Sequence, residues 1–369
     1  MPSHSPSDFT QVDRQSRLEV ALTSYLQTFP AHPRVVLIGN YGQGNLGDEA
    51  ICSGLVGLMA PHSDVTVISR EPDRVTDLHG VAGAATTTVA GVKALLRADV
   101  IAIGGGGIFG NGMTLLPTLL PLLALTLRLL NKKIIFVAIG AYTTAPRWVK
   151  GVLRLVARTS SLVTVRDAES QAVLGSKVSI LVDDPAIALA AVGRAEAREA
   201  LSGAGVDLSR PLLGISLKPA MDPRIDDTQR RLARAAADNW CRATDGDVIF
   251  FSLSERGNFG LGTSITDLSM AGDVISASTY SSRMHTFGPH VRPDVMKGVI
   301  GEVQAMVAHR LHAQIFAWSM NTPLLGLSYE RKSDAFLDEV GAKRLDLRRL
   351  DLEDVVAWLD LLSPSKQRA

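Results

Sequence analysis

Short apolar runs along this chain alternate with longer segments in which apolar residues recur at helical spacing. In the first half the runs predict strands at residues 35–38, 65–69, 99–104, 134–139, 162–167 and 178–182, and the periodic segments predict helices at 19–29, 51–59, 89–97 and 153–158. Strands that alternate with helices in this way are typical of a parallel sheet covered by helices on both faces.

The same alternation begins again after a segment rich in Ala, Arg, Glu and Gly at residues 191–209. It predicts strands at 212–217, 248–253, 305–308 and 324–328, and helices at 228–243, 298–303, 311–320, 333–340 and 352–361. Residues 255–296 are weakly periodic, and we predict an elaborated loop region there without assigning it a role.

We therefore predict an α/β fold with two Rossmann-like domains facing a cleft. The 369 residues agree with two domains of about 100–200 residues each. The predicted boundaries are a flexible leader at 1–20, an N-terminal domain at 21–192, a C-terminal domain at 193–345 and a closing C-terminal helix within 346–369. In open α/β sheets, ligands bind outside the carboxyl ends of the strands.

Composition excludes several classes of protein. Apolar residues make up 46% of the chain, and 38 basic side chains are balanced by 37 acidic ones, so the basic excess of a nucleic-acid-binding protein is missing. Cys52 and Cys241 are far apart and form no Cys-x-x-Cys, which predicts neither a disulfide framework nor a zinc site. The first 15 residues are polar and lack the apolar core of a signal peptide. We expect a cytoplasmic protein without a nucleic-acid partner.

Residues 113–130 form the most apolar stretch. They contain Pro117, Pro121 and Arg128, whereas a membrane-spanning helix needs roughly 20 apolar residues with few charges. One interpretation is a helix buried between the sheet and a neighbour. The other is an apolar surface that approaches a lipid-linked substrate, which would place the protein peripherally at the inner face of the membrane.

A glycine-rich segment follows the first predicted strand. Gly39, Gly42, Gly44 and Gly47 precede Asp48 at the start of a helix. Glycines let backbone N–H groups approach a ligand closely, and the first turn of a helix favours an anion, so the segment predicts a site for phosphate or carboxylate.

Two alternatives for this segment stay open. Gly42-Gln-Gly44-Asn-Leu-Gly47 matches the dinucleotide-binding fingerprint, and Arg70, at the end of the second strand, is suited to a 2′-phosphate. The segment is also compatible with a turn that only packs a helix on the sheet.

A second glycine loop is predicted at residues 104–107, directly after a strand. Arg166 and Asp167 end another strand, and Asp183 and Asp184 end the next. Because the carboxyl ends of parallel strands meet at one edge of a sheet, we expect these side chains near the glycine loops. A tight Asp-Pro turn is the alternative explanation for Asp184.

The second half places Arg310 and His312 at a strand-to-helix junction. If both are extended, their spacing puts them on one side of the chain. Histidine is suited to proton transfer near neutral pH, and arginine to a bidentate grip on phosphate or carboxylate. Lys218 and Lys332 follow two other predicted strands and add basic groups.

Together these motifs resemble the polysaccharide pyruvyl transferase family. The resemblance rests on the segment from Gly39 to Ile51, the 104–107 loop, Arg166-Asp-x-x-Ser170, Asp184-Pro-Ala, Arg310-Leu-His312-Ala-x-Ile-Phe-Ala, Pro323 and Tyr329-x-x-Lys332, which occur in family order within residues 34–336. It implies a fold similar to GT-B glycosyltransferases and transfer of an enolpyruvyl-derived group from phosphoenolpyruvate to a sugar as a ketal. Lys218 departs from the Arg of many relatives, and residues 255–296 match no family pattern.

The residues can be given roles in that reaction. We predict His312 as general acid or base, Arg310 as the group that neutralises the leaving phosphate, and Asp48 or Asp184 as the group that orients a sugar hydroxyl. The predicted substrate-binding residues are Gly44, Asn45, Gly47, Gly105, Gly106, Arg166, Asp184, Lys218 and Lys332. Phosphoenolpyruvate is expected as donor substrate rather than cofactor, no metal is predicted, and the acceptor is a glycan, a glycolipid or a lipid-linked saccharide.

Three other functions remain compatible with the sequence. A nucleotide-sugar glycosyltransferase of GT-B type also needs glycine loops and cations for a diphosphate. The dinucleotide fingerprint leaves open an NADP-binding oxidoreductase. A non-catalytic module that binds a glycan or a nucleotide is the third.

Overall fold

The computed structural model describes residues 17–85, 87–110, 113, 115–220, 222–255, 265–349 and 352–362. The chain divides into two compact units. The described part of the first unit runs from residue 17 to Gln43 and from Asp48 to Leu189, and the second contains Gly44–Gly47 and the described residues after Leu189. Most of the predicted 1–20 leader lies outside the described residues, and residues 17–26 form a helix, α1.

The first unit is a parallel sheet of seven strands in the order β3-β2-β1-β4-β5-β6-β7. The strands are β1 Arg34–Ile38, β2 Asp64–Ile68, β3 Ala82–Ala84, β4 Val100–Phe109, β5 Lys133–Ala141, β6 Leu162–Val165 and β7 Ile180–Leu181. The helices are α2 Leu46–Met59, α3 Pro72–His79, α4 Val89–Arg97, α5 Leu115–Leu129, α6 Arg147–Thr159 and α7 Ala168–Leu174, with short 3₁₀ turns at Ala60–His62 and Pro185–Ile187.

The predicted glycine loop at residues 104–107 is not a loop. The glycines continue β4, where Gly104 pairs with Val137 and Gly106 with Ile139 of β5, and the register shifts before Phe109. Gly105 and Gly106 have φ angles of 73° and 89°, a region that L-residues with a Cβ rarely adopt. The run is therefore an irregular strand end rather than a connection.

The second unit is a parallel sheet of six strands in the order β10-β9-β8-β11-β12-β13. The strands are β8 Leu212–Ser216, β9 Asp247–Phe251, β10 Met284–Phe287, β11 Ala305–Ala308, β12 Leu324–Ser328 and β13 Lys343–Asp346. The helices are α8 Arg194–Gly203, α9 Pro223–Thr244, α10 Asp267–Ala277, α11 Pro293–Ile300, α12 Leu311–Ser319, α13 Arg331–Glu339 and α14 Leu352–Leu362.

The prediction of a loop region at 255–296 was wrong for residues 265–296. This part contains α10, β10 and the first half of α11, so it is one more helix–strand repeat of the sheet. The short helix predicted at 298–303 is instead the end of α11, which stops at Ile300. Small and polar residues on the exposed side of α10 hide its apolar spacing from a sequence pattern, although Met270, Ala271 and Val274 are buried.

The predicted parallel α/β class is confirmed in both units. Each unit has its own apolar core, in which buried strand residues pack against helices such as α5 and α6 in the first unit and α9 and α14 in the second. None of the helices in the described ranges is long and apolar enough to cross a membrane.

Candidate functional site

In the second unit, residues 44–46 pair with the chain that follows β9. The Leu46 N–H donates to the carbonyl of Leu253 (2.8 Å), and the Glu255 N–H donates to the carbonyl of Gly44 (2.9 Å). Asn45 and Ser254 form the antiparallel bridge between these hydrogen bonds. Part of the predicted glycine loop is therefore a short extra strand segment of the second unit, which the sequence did not indicate.

The backbone donors of this segment already have acceptors within the protein. Leu46 N–H is used by Leu253, and Gly47 N–H donates to Asn45 Oδ1 at 3.2 Å, which makes Asn45 the side-chain cap of α2. These two N–H groups are engaged without a ligand. The sequence had predicted that this segment binds an anion. Because both N–H groups are already engaged, we do not assign them to an anion site.

Gly47 instead provides space for His312. A Cβ built on Gly47 would lie 2.0 Å from Nδ1 and 2.4 Å from Cγ of the His312 ring, far inside van der Waals contact. His312 is the second residue of α12. The imidazole thus lies at the helix N-terminus against a backbone position where only glycine fits.

Arg310 precedes α12 and is held by Asp267. Its Nε donates to Asp267 Oδ2 (2.9 Å) and its Nη2 to Oδ1, a bidentate pair in which the carboxylate is fully buried. Asp267 Oδ2 also accepts the N–H groups of Leu253 (3.0 Å) and Ser254 (3.2 Å). One carboxylate thus fixes both the Arg310 guanidinium and the strand that pairs with residues 44–46.

Three cations follow three neighbouring strands of this sheet. Lys218 comes after β8, Arg310 after β11 and Lys332 after β12, and β8, β11 and β12 are adjacent. Glu330 lies between the two lysines: it pairs with Nζ of Lys218 through Oε1 and with Nζ of Lys332 through Oε2 at 3.2 Å. Burial and the charge of Lys332 lower the pKa of Lys218 to about 8.

His309 occupies the buried side of the same cluster. Its Nδ1 is 2.6 Å from Oε1 of Gln229, and burial, with the charge of Lys218, lowers its pKa to about 3. His309 is therefore neutral near pH 7 and structural. Of the two neighbouring histidines, His312 is the one placed at a helix N-terminus beside the Arg310 cation.

In the first unit, Asp48 lies between the two glycine runs. Its Oδ2 accepts a hydrogen bond from Nδ2 of Asn40 (2.7 Å), and a Cβ on Gly106 would lie 3.0 Å from its Oδ1. The hydroxyl of Tyr41 donates to the carbonyl of Gly104, and a Cβ on Gly105 would lie 2.3 Å from the Tyr41 oxygen. Gly105 and Gly106 have no Cβ, and this leaves room for Tyr41 and Asp48 beside β4.

Arg166 and Asp184, both predicted site residues, are in direct contact. Arg166 Nη1 pairs with Asp184 Oδ2 at 2.8 Å, and its Nη2 donates to the Tyr142 hydroxyl at 2.7 Å. Burial alone would lower the pKa of Arg166. The neighbouring Tyr142, Asp184 and Asp167 outweigh burial and raise this pKa. Asp184 Oδ1 also accepts the Ala186 N–H, so the Asp-Pro turn and the charged pair are both present.

A buried relay supports the start of the glycine segment in the same unit. Glu49 Oε1 accepts the N–H groups of Gly42 (2.8 Å) and Gln43 (3.3 Å), and its Oε2 is 3.0 Å from Nε2 of His79. The other ring nitrogen of His79 is 2.8 Å from the Ser53 hydroxyl. The Gly42 and Gln43 donors are thus engaged by Glu49.

The structure brings the predicted site residues together in two groups, one in each unit. The second unit collects Gly44, Asn45, Gly47, Lys218, Arg310, His312 and Lys332, and the first collects Asp48, Gly105, Gly106, Arg166 and Asp184. Sequence reasoning missed Asp267, Glu330, Tyr142 and Glu49. Asp267 lies in the region predicted as loop, and its position as first residue of a helix after Thr266 was the signal that could have found it.

Comparisons with known proteins agree with this architecture. The model of the family described as polysaccharide pyruvyl transferase matches residues 45–331. No curated protein matches the chain in a sequence search. Among solved structures, the UDP-GlcNAc 2-epimerase from Methanocaldococcus jannaschii is 11% identical, with a TM-score of 0.58 over 89% of this chain and 92% of that one. The E. coli ADP-heptose lps heptosyltransferase II is 14% identical, with a TM-score of 0.54 over 90% and 99%.

At these identities the two structures establish the fold, and the predicted GT-B-like architecture is confirmed. The family match covers well over half of the chain and includes the segment at residue 45, Arg166, Asp184, Arg310 and His312. The resemblance proposed from the motifs is therefore confirmed. This chain belongs to the polysaccharide pyruvyl transferase family.

Proposed function

We propose that this transferase moves the enolpyruvyl-derived group of phosphoenolpyruvate onto two hydroxyls of a sugar, forming a pyruvate ketal. Membership of the family supports a transferase that acts on polysaccharides. The donor and the ketal product are the proposal, and one observation carries them: Lys218, Arg310 and Lys332 follow the three adjacent strands β8, β11 and β12.

Phosphoenolpyruvate needs such a concentration of positive charge. It has a carboxylate and a phosphate on neighbouring atoms. Both groups are bound most strongly by bidentate or charge-assisted hydrogen bonds from cationic side chains. Arg310 uses Nε and Nη2 for Asp267, which leaves Nη1 for a ligand and fixes the plane of the guanidinium. Lys218 and Lys332 share Glu330, so the three cations face two carboxylates and the cluster retains a net positive charge.

The proposed reaction needs one side chain that accepts protons from the sugar hydroxyls and delivers them to the products. One sugar hydroxyl forms a bond to C2 of the donor while the methylene carbon takes a proton, and the second hydroxyl replaces phosphate at C2 by C–O cleavage. Of the two hydroxyl protons, one ends on the methyl group and the other on the released phosphate. His312 is proposed to carry out the proton transfer, a role that contributes about 10²–10⁴-fold to rate.

Arg310 is proposed to stabilise negative charge on the departing phosphate. Asp48 and Asp184 in the first unit are proposed to orient or deprotonate a sugar hydroxyl. Of the two, Asp184 forms an ion pair with Arg166 and accepts the Ala186 N–H of the turn that follows it. Asp48, which accepts a hydrogen bond from Asn40 and lies beside Gly106, is the one proposed as catalytic. The acceptor is proposed to be a glycan, a glycolipid or a lipid-linked saccharide.

A ligand panel tests the proposed donor. A ligand present at 100 times its dissociation constant stabilises the folded state by about 2.7 kcal/mol, which a thermal unfolding assay detects. Phosphoenolpyruvate should raise the Tm. Stabilisation by a nucleotide sugar, with none by phosphoenolpyruvate, would favour a glycosyltransferase, and stabilisation by NADP alone would favour an oxidoreductase.

A further inference from the structure

Basic residues are unevenly distributed along the chain. Between Asp77 and Asp167 the sequence contains ten Lys or Arg residues and a single acid, Asp99. Asp99 forms an ion pair with Arg34 at 2.9 Å. The whole chain is nearly neutral, so this segment has a large local excess of positive charge.

Three helices of this segment lie on the same face of the first sheet. Buried residues of α4, α5 and α6 belong to one apolar cluster that covers the sheet, among them Leu95, Leu120 and Leu153. α5 packs against α6. Lys132 follows α5 by three residues, and its ammonium donates to the carbonyls of Leu96 and Ala98 (3.1 Å to Ala98), which joins the chain after α5 to the end of α4. The three helices therefore form one layer.

The outer side of this layer is apolar to an unusual degree. We call it the α4–α6 face and define it by the exposed large apolar side chains Val89, Val92, Leu96, Leu119, Leu122, Leu129, Trp148 and Leu155. Leu129 is 80% exposed and Trp148 45%. On α4 the exposed residues Val89, Val92 and Leu96 follow one another at intervals of three and four residues, so they form an apolar stripe along the helix. The helix is therefore apolar on its exposed side as well as on its buried side. Single exposed apolar residues are ordinary, but eight of them on one layer of three helices mark an interaction surface.

Cations border the α4–α6 face. Lys93 and Arg97 are exposed on α4, and Arg147, Arg154 and Arg158 are exposed on α6. α4, α5 and α6 contain no acidic residue in their sequences. Apolar side chains with a Trp, flanked by Lys and Arg, are the composition of a surface that inserts shallowly into a bilayer with anionic lipids.

We propose that the α4–α6 face docks the protein on the surface of an anionic phospholipid bilayer. Charge complementarity decides between a bilayer and a second copy of the chain. A two-fold dimer through this face would bring the same cations of both copies together, with no acid on these helices to pair them. An anionic bilayer attracts the same cations. The inference concerns binding to lipid and does not depend on the proposed donor.

Vesicle co-sedimentation of the full chain tests this assignment. The protein should sediment with vesicles of phosphatidylcholine containing one-third phosphatidylglycerol and stay in solution with phosphatidylcholine alone. Raising salt from about 0.1 M to about 0.5 M should release it, because screening weakens surface attraction. The tryptophan emission of the chain should shift to the blue on binding, and Trp148→Ser should remove this shift, which assigns it to Trp148 among the four tryptophans.

Two pairs of substitutions separate the contributions of charge and of apolar contact. Arg147→Gln with Arg158→Gln should lower the partition coefficient by about thirtyfold, and Trp148→Ser with Leu155→Ser by at least about tenfold. The matched controls are Arg224→Gln with Arg231→Gln, exposed on α9, and Val20→Ser with Leu268→Ser, exposed on α1 and α10. The controls should bind like the unsubstituted protein.

Several outcomes would overturn the assignment. These are absence of binding to the anionic vesicles, or equal loss of binding in the control pairs. Sedimentation equilibrium tests whether the α4–α6 face binds a second copy of the chain. A dimer that becomes a monomer with Trp148→Ser and Leu155→Ser, without lipid binding by either form, would assign the α4–α6 face to a second copy instead.

Discussion

The imidazole of His312 lies directly against the α-carbon of Gly47. A side chain of any size at Gly47 would begin 2.0 Å from Nδ1 of the ring. Residues 44–46, directly before Gly47, pair with residues 253–255, so this short segment positions the ring that we propose to transfer protons. The glycine is thus explained by a side chain it accommodates rather than by an anion it binds.

Gly47→Ala should lower turnover by displacing the His312 ring. The added methyl cannot fit unless the ring moves, and a misplaced proton-transfer group loses most of its contribution of about 10²–10⁴-fold. Steady-state kinetics with circular dichroism on the folded protein checks this. Gly57→Ala on α2 is the control, because a Cβ there meets nothing within 4 Å and should stabilise the helix by about 0.5–1 kcal/mol. Normal turnover by folded Gly47→Ala would contradict the role of this contact.

Asp267→Asn should weaken donor binding without touching the donor. The substitution removes the charge that fixes the Arg310 guanidinium, so Arg310 can leave its present plane. We expect a rise of at least about tenfold in the Kd for phosphoenolpyruvate, from a lost charge-assisted contact. Titration calorimetry measures this Kd and compares it with that of Arg310→Ala, which should bind the donor more weakly still. The control is Asp273→Asn, because Asp273 lies on the exposed side of α10 and pairs with Arg230. Unchanged donor affinity in both Asp267→Asn and Arg310→Ala would remove Arg310 from the donor site.

Donor binding should depend on pH through Lys218. Its pKa is lowered to about 8, so it is charged below that pH and neutral above it, and an anionic donor binds the charged form. The Kd for phosphoenolpyruvate should therefore rise as pH increases from about 7 to about 9. Lys218→Arg stays charged throughout and should lose this part of the pH dependence. A pH profile identical in both proteins would show that Lys218 does not contact the donor.

His79→Ala should destabilise the first unit more than Ser53→Ala. The substitution removes the partner of the buried Glu49 carboxylate, and leaving such a group without its hydrogen bond costs about 1–3 kcal/mol. Ser53→Ala removes only the outer member of the relay. Urea denaturation measures both, with His32→Ala at an exposed position as the control, where a change within about 0.5 kcal/mol is expected. A His79→Ala protein as stable as the control would contradict the supporting role of the relay.

Much of the fold could be predicted because its strands are short apolar runs. β11 and β12 and the helix α4 agree with the prediction to the residue. The glycines of β4 were mistaken for a loop because glycine signals a turn, whereas here the positive φ angles occur inside a paired strand. β13 was missed because its residues Lys343–Asp346 are mostly charged, as expected for an edge strand.

The site was predictable in its residue types but not in its pairings. Arg310 and His312 were found from their position after a strand. Asp267, 43 residues earlier in the chain, could not be connected to Arg310 because a long-range ion pair leaves no local pattern. The same reason applies to Glu330. It lies next to Tyr329 in the sequence, and nothing local shows that it pairs with both Lys218 and Lys332.

His312→Gln tests the central claim most directly. Glutamine has similar reach and hydrogen-bonding capacity but cannot exchange a proton near pH 7, so donor binding should persist while chemistry is lost. The measurement is phosphate release from phosphoenolpyruvate with a glycan acceptor, normalised to folded protein. The account predicts that turnover falls by roughly 10²–10⁴-fold while the Kd for the donor stays within about threefold. Turnover by His312→Gln close to that of the unsubstituted protein would contradict it.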